Sequence, residues 1–299
     1  MLRFQSFENK LKQKLPLKSK AHSFLVKYTG SELVQVKNTI IKRTITRYTH
    51  GKIDEIEDSI VTEHPITIKL NQSEFATLVC TPEYIEDMVI GFLASEGVIR
   101  GFGDIDDIWI QEKEGFAHVK TNYINHFYEK FHSKRYITSC CGKSRQGFVF
   151  FNDAKMSNHF KDVNVKITYE ECFHLMEEMQ KSSLEFIETG GVHNASLCSK
   201  DGIILSRIDI GRHNALDKIY GYCLRNQISL KDKVIVFSGR ISSEILTKVA
   251  KIGCEIVLSK SAPTELALEL AEELGITTVG FIRNHSLNVY TRPDRIVEL

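Results

Sequence analysis

Residues 233–283 decide the class of fold, and they read KVIVFSGRISSEILTKVAKIGCEIVLSKSAPTELALELAEELGITTVGFIR. Three short apolar runs, VIVF, IVL and TTVGFI, alternate with two segments whose apolar residues recur every three or four positions. Continuous apolar strands that alternate with amphipathic helices are typical of a parallel sheet covered on both faces. Gly253 and Gly275 stand where these helices should end, and Pro263 suits a first helical turn. The stretch predicts an α/β domain with a largely parallel sheet.

The sequence before this stretch has a different pattern. Residues 43–130 show short alternating strands, with breaks at 50–51 and 71–73 and a hairpin turn at 113–115. The segment EYIEDMVIGFLASEGVI predicts one helix that stops near Gly97. We therefore expect a smaller N-terminal α+β domain at 43–130. It follows a lysine-rich, loosely ordered extension at 1–42 and precedes a linker at 131–165 and the α/β domain at 166–299.

The α/β domain should begin with three further elements. ITYEECFHLMEEMQKSSLEFIETGG predicts one helix that stops at residues 190–191, and ASLCSKDGIILSRIDIG predicts a hairpin that turns at 200–202. HNALDKIYGYCLRN predicts a helix with Asn214 as its N-cap.

Composition limits the classes of partner and compartment. The chain is 42% hydrophobic with a net charge of +1, so no bulk field attracts it to nucleic acid or to a membrane. Seven scattered cysteines indicate a reducing compartment rather than a disulfide framework. The sequence has no apolar run of about 20 residues and no secretory signal at its start. We expect a soluble cytoplasmic protein.

Cations and hydroxyls follow each strand of the predicted parallel sheet, at residues 238–240, 259–261 and 281–284. Ligands gather at the carboxyl ends of such strands, and helix N-termini with Arg or Lys bind phosphate. A single such residue is more simply a solvated loop residue, but three at one edge favour a phosphorylated ligand.

Two similar loops, residues 189–195 and 209–215, each contain Gly, His, Asn and Ala. They are either structural turns or part of the site, and the residues alone leave both open.

An adjacent cysteine pair, Cys140 and Cys141, lies in the segment YITSCCGKS between Arg135 and Lys143. Basic neighbours favour the thiolate, which is the nucleophilic form, and a persulfide on it could pass its outer sulfur onward. In contrast, the patterns around Cys172 and Cys223 predict buried core positions on helices.

Several familiar chemistries lack their motifs. A P-loop would need glycine at Ile137, no GxGxxG follows a strand, and a zinc nucleobase deaminase would need His-x-Glu and Cys-x-x-Cys. We therefore expect no catalytic metal of the protein's own. A Cys-His hydrolase built from Cys141 with His193 or His213 remains open.

Taken together, the motifs resemble the FdhD/NarQ family, sulfur carriers needed for formate dehydrogenase activity. The resemblance covers residues 45–297 and is carried by these segments: GFLASEGVI, TSCCGKS, TGGVHNA, DIGRHNALDK, FSGRISSE, SKSAPT, GFIRN and NVYTRPDRI. It implies a homodimer and a C-terminal domain similar to cytidine deaminases. It also implies that sulfur comes from a cysteine desulfurase and goes to the molybdenum bis(molybdopterin guanine dinucleotide) cofactor. Many relatives have Cys-x-x-Cys in the active loop, whereas here Ser144 replaces the second cysteine.

The resulting hypothesis is a sulfurtransferase that carries the persulfide on Cys141, with Cys140 as a second catalytic candidate. The alternative is a chaperone that holds and inserts the cofactor without sulfur chemistry. The resemblance implies that the segment Gly280, Phe281, Ile282, Arg283, Asn284 and His285 contacts the cofactor. The strand exits and the two histidine loops add the other predicted cofactor-binding residues: Arg240, Lys260, Ser238, Ser261, His193, Arg212 and His213.

Overall fold

The structure is a computed structural model that describes residues 39–123, 135–137 and 158–298. Within these residues the chain forms two main β-sheets and six α-helices, which confirms the mixed α/β class. None of the helices in the described part of the chain has the length and apolar character that crossing a bilayer requires. Most of the predicted basic extension lies outside the described residues. The domain boundaries and the likeness to cytidine deaminases stay predictions.

The first main sheet has five strands in the order β5-β6-β3-β4-β7, preceded by a separate β1–β2 hairpin. The strands are β1 (Ile40–Thr49), β2 (Lys52–Val61), β3 (His64–Leu70), β4 (Ser73–Cys80), β5 (Ile105–Gln111), β6 (Phe116–Thr121) and β7 (Arg135–Ile137). The breaks at residues 50–51 and 71–72 and the hairpin turn at 113–115 are confirmed. A 3-10 turn, Phe102–Asp104, precedes β5.

Helix α1, Ile85–Ser95, follows β4, and its side chains share one buried core with the first sheet. Ile66, Leu78 and Leu93 belong to this core and are almost completely buried. The chain turns at Gly97, whose φ of +74° suits glycine. The predicted helix and its end are therefore confirmed.

The second main sheet has six strands in the order β10-β9-β11-β12-β13-β14. They are β9 (His193–Ser199), β10 (Gly202–Asp209), β11 (Val234–Phe237), β12 (Ile256–Ser259), β13 (Thr277–Arg283) and β14 (Ser286–Thr291). Two short strands, β8 (Ile167–Thr168) and β15 (Ile296–Val297), pair beside it, and the 3-10 turn Pro293–Arg295 precedes β15.

Five helices accompany this sheet: α2 (Tyr169–Ser182), α3 (Leu184–Thr189), α4 (Arg212–Arg225), α5 (Ser243–Ile252) and α6 (Glu265–Leu274). Helix α2 buries its apolar side on one face, while α4, α5 and α6 cover the other. The central strands are buried along their whole length because both faces are covered. Helices α5 and α6 end at Gly253 and Gly275 in the left-handed conformation, as predicted.

The sheet is less parallel than predicted. Only β11, β12 and β13 are mutually parallel, and the other three strand pairs are antiparallel. The reason lies in the connections, since the β9–β10 and β13–β14 hairpins flank the parallel centre and hairpins impose antiparallel pairing.

The single helix predicted to run up to residues 190–191 is instead two helices. Ser183 has φ −102° and ψ 88°, and its hydroxyl accepts a hydrogen bond from Phe186 N. The hydroxyl of Ser182 donates to the Met179 carbonyl at 2.9 Å. Serine hydroxyls compete with the helix for backbone partners, so two in succession end α2 and start α3.

Two predicted helix starts were also wrong. The N-cap of α4 is Gly211, and Asn214 lies inside the first turn, where its amide donates to the Val79 carbonyl and to the Asp209 carboxylate. Pro263 precedes the Thr264 cap of α6 and forms a bridge with Ile241.

Helices α1 and α4 cross at a pair of glycines. A Cβ on Gly91 would lie 1.9 Å from the Asp217 carbonyl oxygen, and a Cβ on Gly221 would lie 1.8 Å from the Asp87 carbonyl oxygen. The two backbones therefore touch directly, which only glycine permits.

Candidate functional site

The carboxyl ends of β11, β12 and β13 lie at one edge of the second sheet because these strands are parallel. Strand β9 is antiparallel to β11, so its first residue, His193, lies at the same edge, opposite Asp209 at the end of β10. We call this edge, with residues 193, 209–213, 238–240, 259–261 and 280–285, the rim. All the predicted cofactor-binding residues lie on it. Strands are spaced by about 4.8 Å, so the rim extends about 15 Å from β9 to β13.

A groove of about 430 Å³ opens at the β13 end of the rim. Its cations are Lys260 and Arg283, and Lys260 Nζ donates to Gln180 Oε1 at 2.8 Å. The side chains that line it are Phe173, Met176, Glu177, Gln180, Lys260, Ile282, Arg283, Asn284 and His285. Apolar and aromatic surface next to two cations suits a ligand that combines a flat ring with an anionic group.

The backbone of the segment that carries Arg283 is unusual. Phe281, Asn284 and His285 have φ values of +54°, +51° and +53°. Asparagine tolerates this left-handed region, but phenylalanine adopts it at a cost, and such strain concentrates at functional sites. The Arg283 guanidinium carbon lies 5.2 Å from the Phe281 ring centroid. Arg283 and Asn284 line both the groove and a second depression of about 380 Å³.

Gly280 allows the loops of the rim to approach each other. A Cβ at this position would lie 3.0 Å from the Ser261 carbonyl oxygen and 3.2 Å from Pro263 Cδ. The Phe281 N–H donates to the same Ser261 carbonyl at 3.3 Å. The β12 and β13 exits are thereby held together.

The serines at the strand exits form hydrogen bonds between neighbouring loops. Ser261 Oγ donates to the Ser238 carbonyl at 3.0 Å, and Ser238 Oγ accepts from Asn194 N at 2.9 Å. Ser259 Oγ donates to the Gly239 carbonyl at 2.8 Å. These bonds fix the shape of the rim, and the predicted phosphate contacts of Ser238 and Ser261 stay predictions. Arg240 is exposed at the β11 exit.

The two histidine loops meet at the β9 end of the rim. Burial lowers the pKa of His193, and the charges of Arg212 and His213 lower it further, while Asp209 opposes them. A Cβ on Gly239 would lie 3.4 Å from His193 Nδ1, so the missing side chain lets the imidazole approach the backbone. The neutral imidazole that results at neutral pH can accept or donate a hydrogen bond.

A carboxylate lies next to His213 in this cluster. The Nε2 atom of His213 lies 3.2 Å from Glu244 Oε2, at the start of α5. The predicted grouping of His193, Arg212 and His213 is thus present in the fold, while their predicted contacts with a cofactor stay predictions.

A buried carboxylate behind this cluster was missed in the sequence. Asp209 Oδ2 lies 2.7 Å from Lys218 Nζ, and both side chains are completely buried. Asp209 Oδ1 accepts from Gly211 N at 2.7 Å and from Asn214 Nδ2 at 2.9 Å. One signal was available, because Lys218 stands next to Ile219 and one turn after Ala215, which are apolar residues of α4. A lysine there indicates a buried anionic partner.

The catalytic candidates Cys140 and Cys141 lie outside the described residues. Five other cysteines are described, and all are buried and free of disulfide bonds: Cys80, Cys172, Cys198, Cys223 and Cys254. Burial raises the pKa of Cys80, Cys172, Cys198 and Cys223 to about 12 and raises that of Cys254 as well. The predicted core positions of Cys172 and Cys223 are confirmed.

Among the described residues, no three His, Cys, Asp or Glu side chains form a group that could hold a metal ion.

Comparisons with known proteins agree with these motifs and with the fold. The family model described as "FdhD/NarQ family" matches residues 61–297. The chain belongs to this family. A protein of Shouchella clausii named "Sulfur carrier protein FdhD" is 55% identical over 261 residues, which is 87% of this chain and 98% of that protein. A Bacillus subtilis protein of the same name is 56% identical over 256 residues, 86% of this chain and 97% of its own length.

A solved structure shares the fold. It is the crystal structure of a putative formate dehydrogenase accessory protein from Desulfotalea psychrophila. It matches with a TM-score of 0.73 and 25% identity, over 87% of this chain and all of that one.

Proposed function

We propose that this protein is a sulfur carrier and sulfurtransferase for formate dehydrogenase. Cys141 accepts sulfur from a cysteine desulfurase as a persulfide and passes it to the molybdenum of the bis(molybdopterin guanine dinucleotide) cofactor. The observation that carries the proposal is the basic rim, found on a chain whose relatives are named sulfur carrier protein. The cofactor is cargo here, and its pyrophosphates match the cations of the rim.

The chemistry consists of two exchanges. The Cys141 thiolate attacks the outer sulfur of the desulfurase persulfide, the S–S bond breaks, and the desulfurase thiolate leaves. In delivery, the outer sulfur accepts two electrons from the reduced metal as its bond to Cys141 breaks, and Cys141 returns to the thiolate. Both steps require a thiol that ionises readily, which basic neighbours favour.

The described cysteines support the choice of nucleophile by elimination. A thiol whose pKa is about 12 is almost entirely protonated at neutral pH, so Cys80, Cys172, Cys198 and Cys223 are poor nucleophiles. Free thiols in the described part of the chain also fit a reducing cytoplasm, which is the location that we propose.

Chain geometry supports the reach of Cys141. Strand β7 runs parallel to β4, with Ile137 paired to Leu78, and β4 leads to Thr81. Thr81 N donates to Asp209 Oδ2 at the rim, at 3.0 Å. Cys141 follows Ile137 by four residues, which span at most about 14 Å when fully extended. Strand β7, which precedes the cysteine pair in the sequence, thus lies next to β4, and the residue after β4 contacts the rim.

Sulfur loading tests the proposal directly. After incubation with a cysteine desulfurase and cysteine, intact mass spectrometry should show one added sulfur atom on the wild type and on Cys140→Ala, and none on Cys141→Ala. The added mass should disappear with a reductant, as expected for a persulfide. Equal loading of Cys141→Ala would rule out Cys141 as the carrier.

Arg283→Ala should weaken the binding of a guanine nucleotide, used as a probe for the cofactor. A guanidinium–phosphate hydrogen bond contributes about 1.5–3 kcal/mol, so we expect binding at least about tenfold weaker. The readout is the thermal shift produced by GDP, because a ligand of the native state raises the melting temperature. Arg100→Ala is the matched control, since Arg100 pairs with Asp104 in the first half of the described chain. An unchanged shift in Arg283→Ala would remove Arg283 from the site.

We propose further that two copies associate, as the resemblance implies. Helix α3 presents Leu184 and Ile187 with 65% and 62% of their surface exposed, and the tip of the β1–β2 hairpin presents Tyr48 and Ile53 at 72% each. Large exposed apolar side chains commonly mark interaction surfaces. A second copy that covers them would remove this apolar surface from water.

A further inference from the structure

Two triads of similar chemistry, one completely buried and one partly buried, lie next to each other along helix α4. In each, an aspartate binds a lysine ammonium group and a hydroxyl group. The rim triad consists of Thr81, Asp209 and Lys218, and the outer triad consists of Ser95, Asp217 and Lys248. Because Asp217 and Lys218 are consecutive residues of α4, the two triads provide a natural comparison between two similar networks at one place in the fold.

In the rim triad, each of the three side chains contacts the other two. Asp209 Oδ2 accepts hydrogen bonds from Thr81 N at 3.0 Å and from Thr81 Oγ1 at 3.1 Å. Lys218 Nζ donates to Thr81 Oγ1 at 2.6 Å and to the Ile208 carbonyl at 3.1 Å. Thr81, Asp209 and Lys218 are all completely buried, so no water replaces a bond that is lost. The Thr81 hydroxyl therefore joins both charged groups.

The second oxygen of Asp209 fixes the start of α4. Gly211, the N-cap, has no side chain to cap the helix, and Asp209 Oδ1 accepts the Gly211 N–H instead. The same oxygen accepts from Asn214 Nδ2, which a Cβ on Gly211 would approach to 2.8 Å. Arg212 and His213 follow Gly211 and begin α4 at the rim. The carboxylate of Asp209 therefore fixes the backbone that carries them.

The outer triad connects three helices. Ser95 Oγ donates to Asp217 Oδ1 at 2.7 Å and Lys248 Nζ donates to the same oxygen at 2.5 Å, so the triad joins α4 to α1 and α5. Asp217 lies one turn beyond His213 and holds the body of the helix. The rim triad, in contrast, joins the residue after β4 to the last residue of β10 and to α4.

We propose that the rim triad positions Arg212 and His213 for sulfur delivery, and that the outer triad only stabilises the fold. This inference rests on the proposed function for its activity readout. The members of the rim triad are positioning residues, because they act through the loop that they hold. Misplacing a site group by about 1 Å is enough to slow a reaction by about a hundredfold.

Three substitutions of hydroxyl residues test the inference. Thr81→Val removes the hydroxyl and keeps the shape, Thr81→Ser restores the hydroxyl, and Ser95→Ala removes the corresponding hydroxyl of the outer triad. Each is loaded with sulfur on Cys141, and delivery to cofactor-bearing formate dehydrogenase is timed. We expect Thr81→Val to load normally and to deliver at least about tenfold more slowly. Thr81→Ser and Ser95→Ala should deliver within about twofold of wild type, even where Ser95→Ala lowers the urea midpoint as much as Thr81→Val.

Delivery at the wild-type rate by Thr81→Val, or an equal loss in Ser95→Ala, would overturn the inference. If the wild type does not load sulfur at all, the proposed function fails, and backbone hydrogen exchange at residues 209–213 decides the positioning role alone. Exchange there should be at least about tenfold faster in Thr81→Val than in Ser95→Ala, and equal exchange would refute positioning. If Thr81→Val does not fold, Asn214→Ala takes its place with the same expectations, because it removes one donor to Asp209 Oδ1.

Discussion

A host whose only copy of this protein carries Cys141→Ala is expected to make formate dehydrogenase polypeptide and to have no formate dehydrogenase activity. The variant lacks the thiolate that we propose to hold sulfur between the desulfurase and the cofactor. The loss should therefore be complete rather than partial, at least about a hundredfold in formate oxidation measured in extracts with an artificial electron acceptor. Immunoblots for the dehydrogenase should show unchanged amounts.

Cys140→Ala is the matched control, because it removes a thiol one residue away and leaves Cys141 in place. Activity should remain, since Cys141 is the assigned acceptor. Full activity in Cys141→Ala would indicate instead that holding and inserting the cofactor is enough, and the protein would then be a chaperone without sulfur chemistry. Loss of activity in Cys140→Ala alone would move the carrier role to Cys140.

Gly91→Ala is expected to destabilise the fold strongly. Its new methyl group would lie 1.9 Å from the Asp217 carbonyl oxygen and 2.8 Å from Gly221 N, and both are backbone atoms that cannot rotate away. Helices α1 and α4 must then separate. Inserting a methyl group into a packed interior usually costs about 1–3 kcal/mol, and contact with backbone places this case at the upper end or above. The measurement is the free energy of unfolding from urea titration.

Gly103→Ala provides the control for this prediction. Gly103 lies in the 3-10 turn Phe102–Asp104, and a Cβ there would meet nothing within 4 Å. We expect its free energy of unfolding to stay within about 0.5 kcal/mol of wild type. If Gly91→Ala were equally mild, the direct contact between α1 and α4 would not matter for stability.

The regular part of the fold could be predicted because its signals are local. The β11–α5–β12–α6–β13 unit shows its periodicity within about fifty residues, and Gly253 and Gly275 end its helices as expected. The errors came where side chains act on the backbone. Ser183 breaks a helix that hydrophobic periodicity would have continued, and Asn214 was assigned as a cap although its amide binds Asp209. Such competition depends on hydrogen-bond partners that only the folded chain brings together.

In the candidate site, likewise, the positions that follow from local patterns were predictable and the long-range contacts were not. Parallel strands place their exits at one edge, so Lys260 and Arg283 were expected near each other, and they line one groove. The contacts of Thr81 with Asp209 and Lys218 were not predictable, because Thr81 lies more than a hundred residues earlier and no local pattern connects it to them. Likewise the sequence gives no sign that the strand-exit serines bind neighbouring loops.

Both flanks of residues 138–157 are attached to the body of the protein. Strand β7 pairs with β4 on one side, and on the other Asn158 donates to the Ala250 carbonyl and Phe160 N donates to the Leu274 carbonyl. Under the proposed function, a sulfur atom on Cys141 would stay on the same chain that carries the rim, where we propose that its acceptor binds. Its effective concentration at the rim would then be set by the length of the connecting chain rather than by the amount of protein in the cell. Sulfur transfer would then take place within one molecule, and the proposed persulfide would have little opportunity to react with other thiols first.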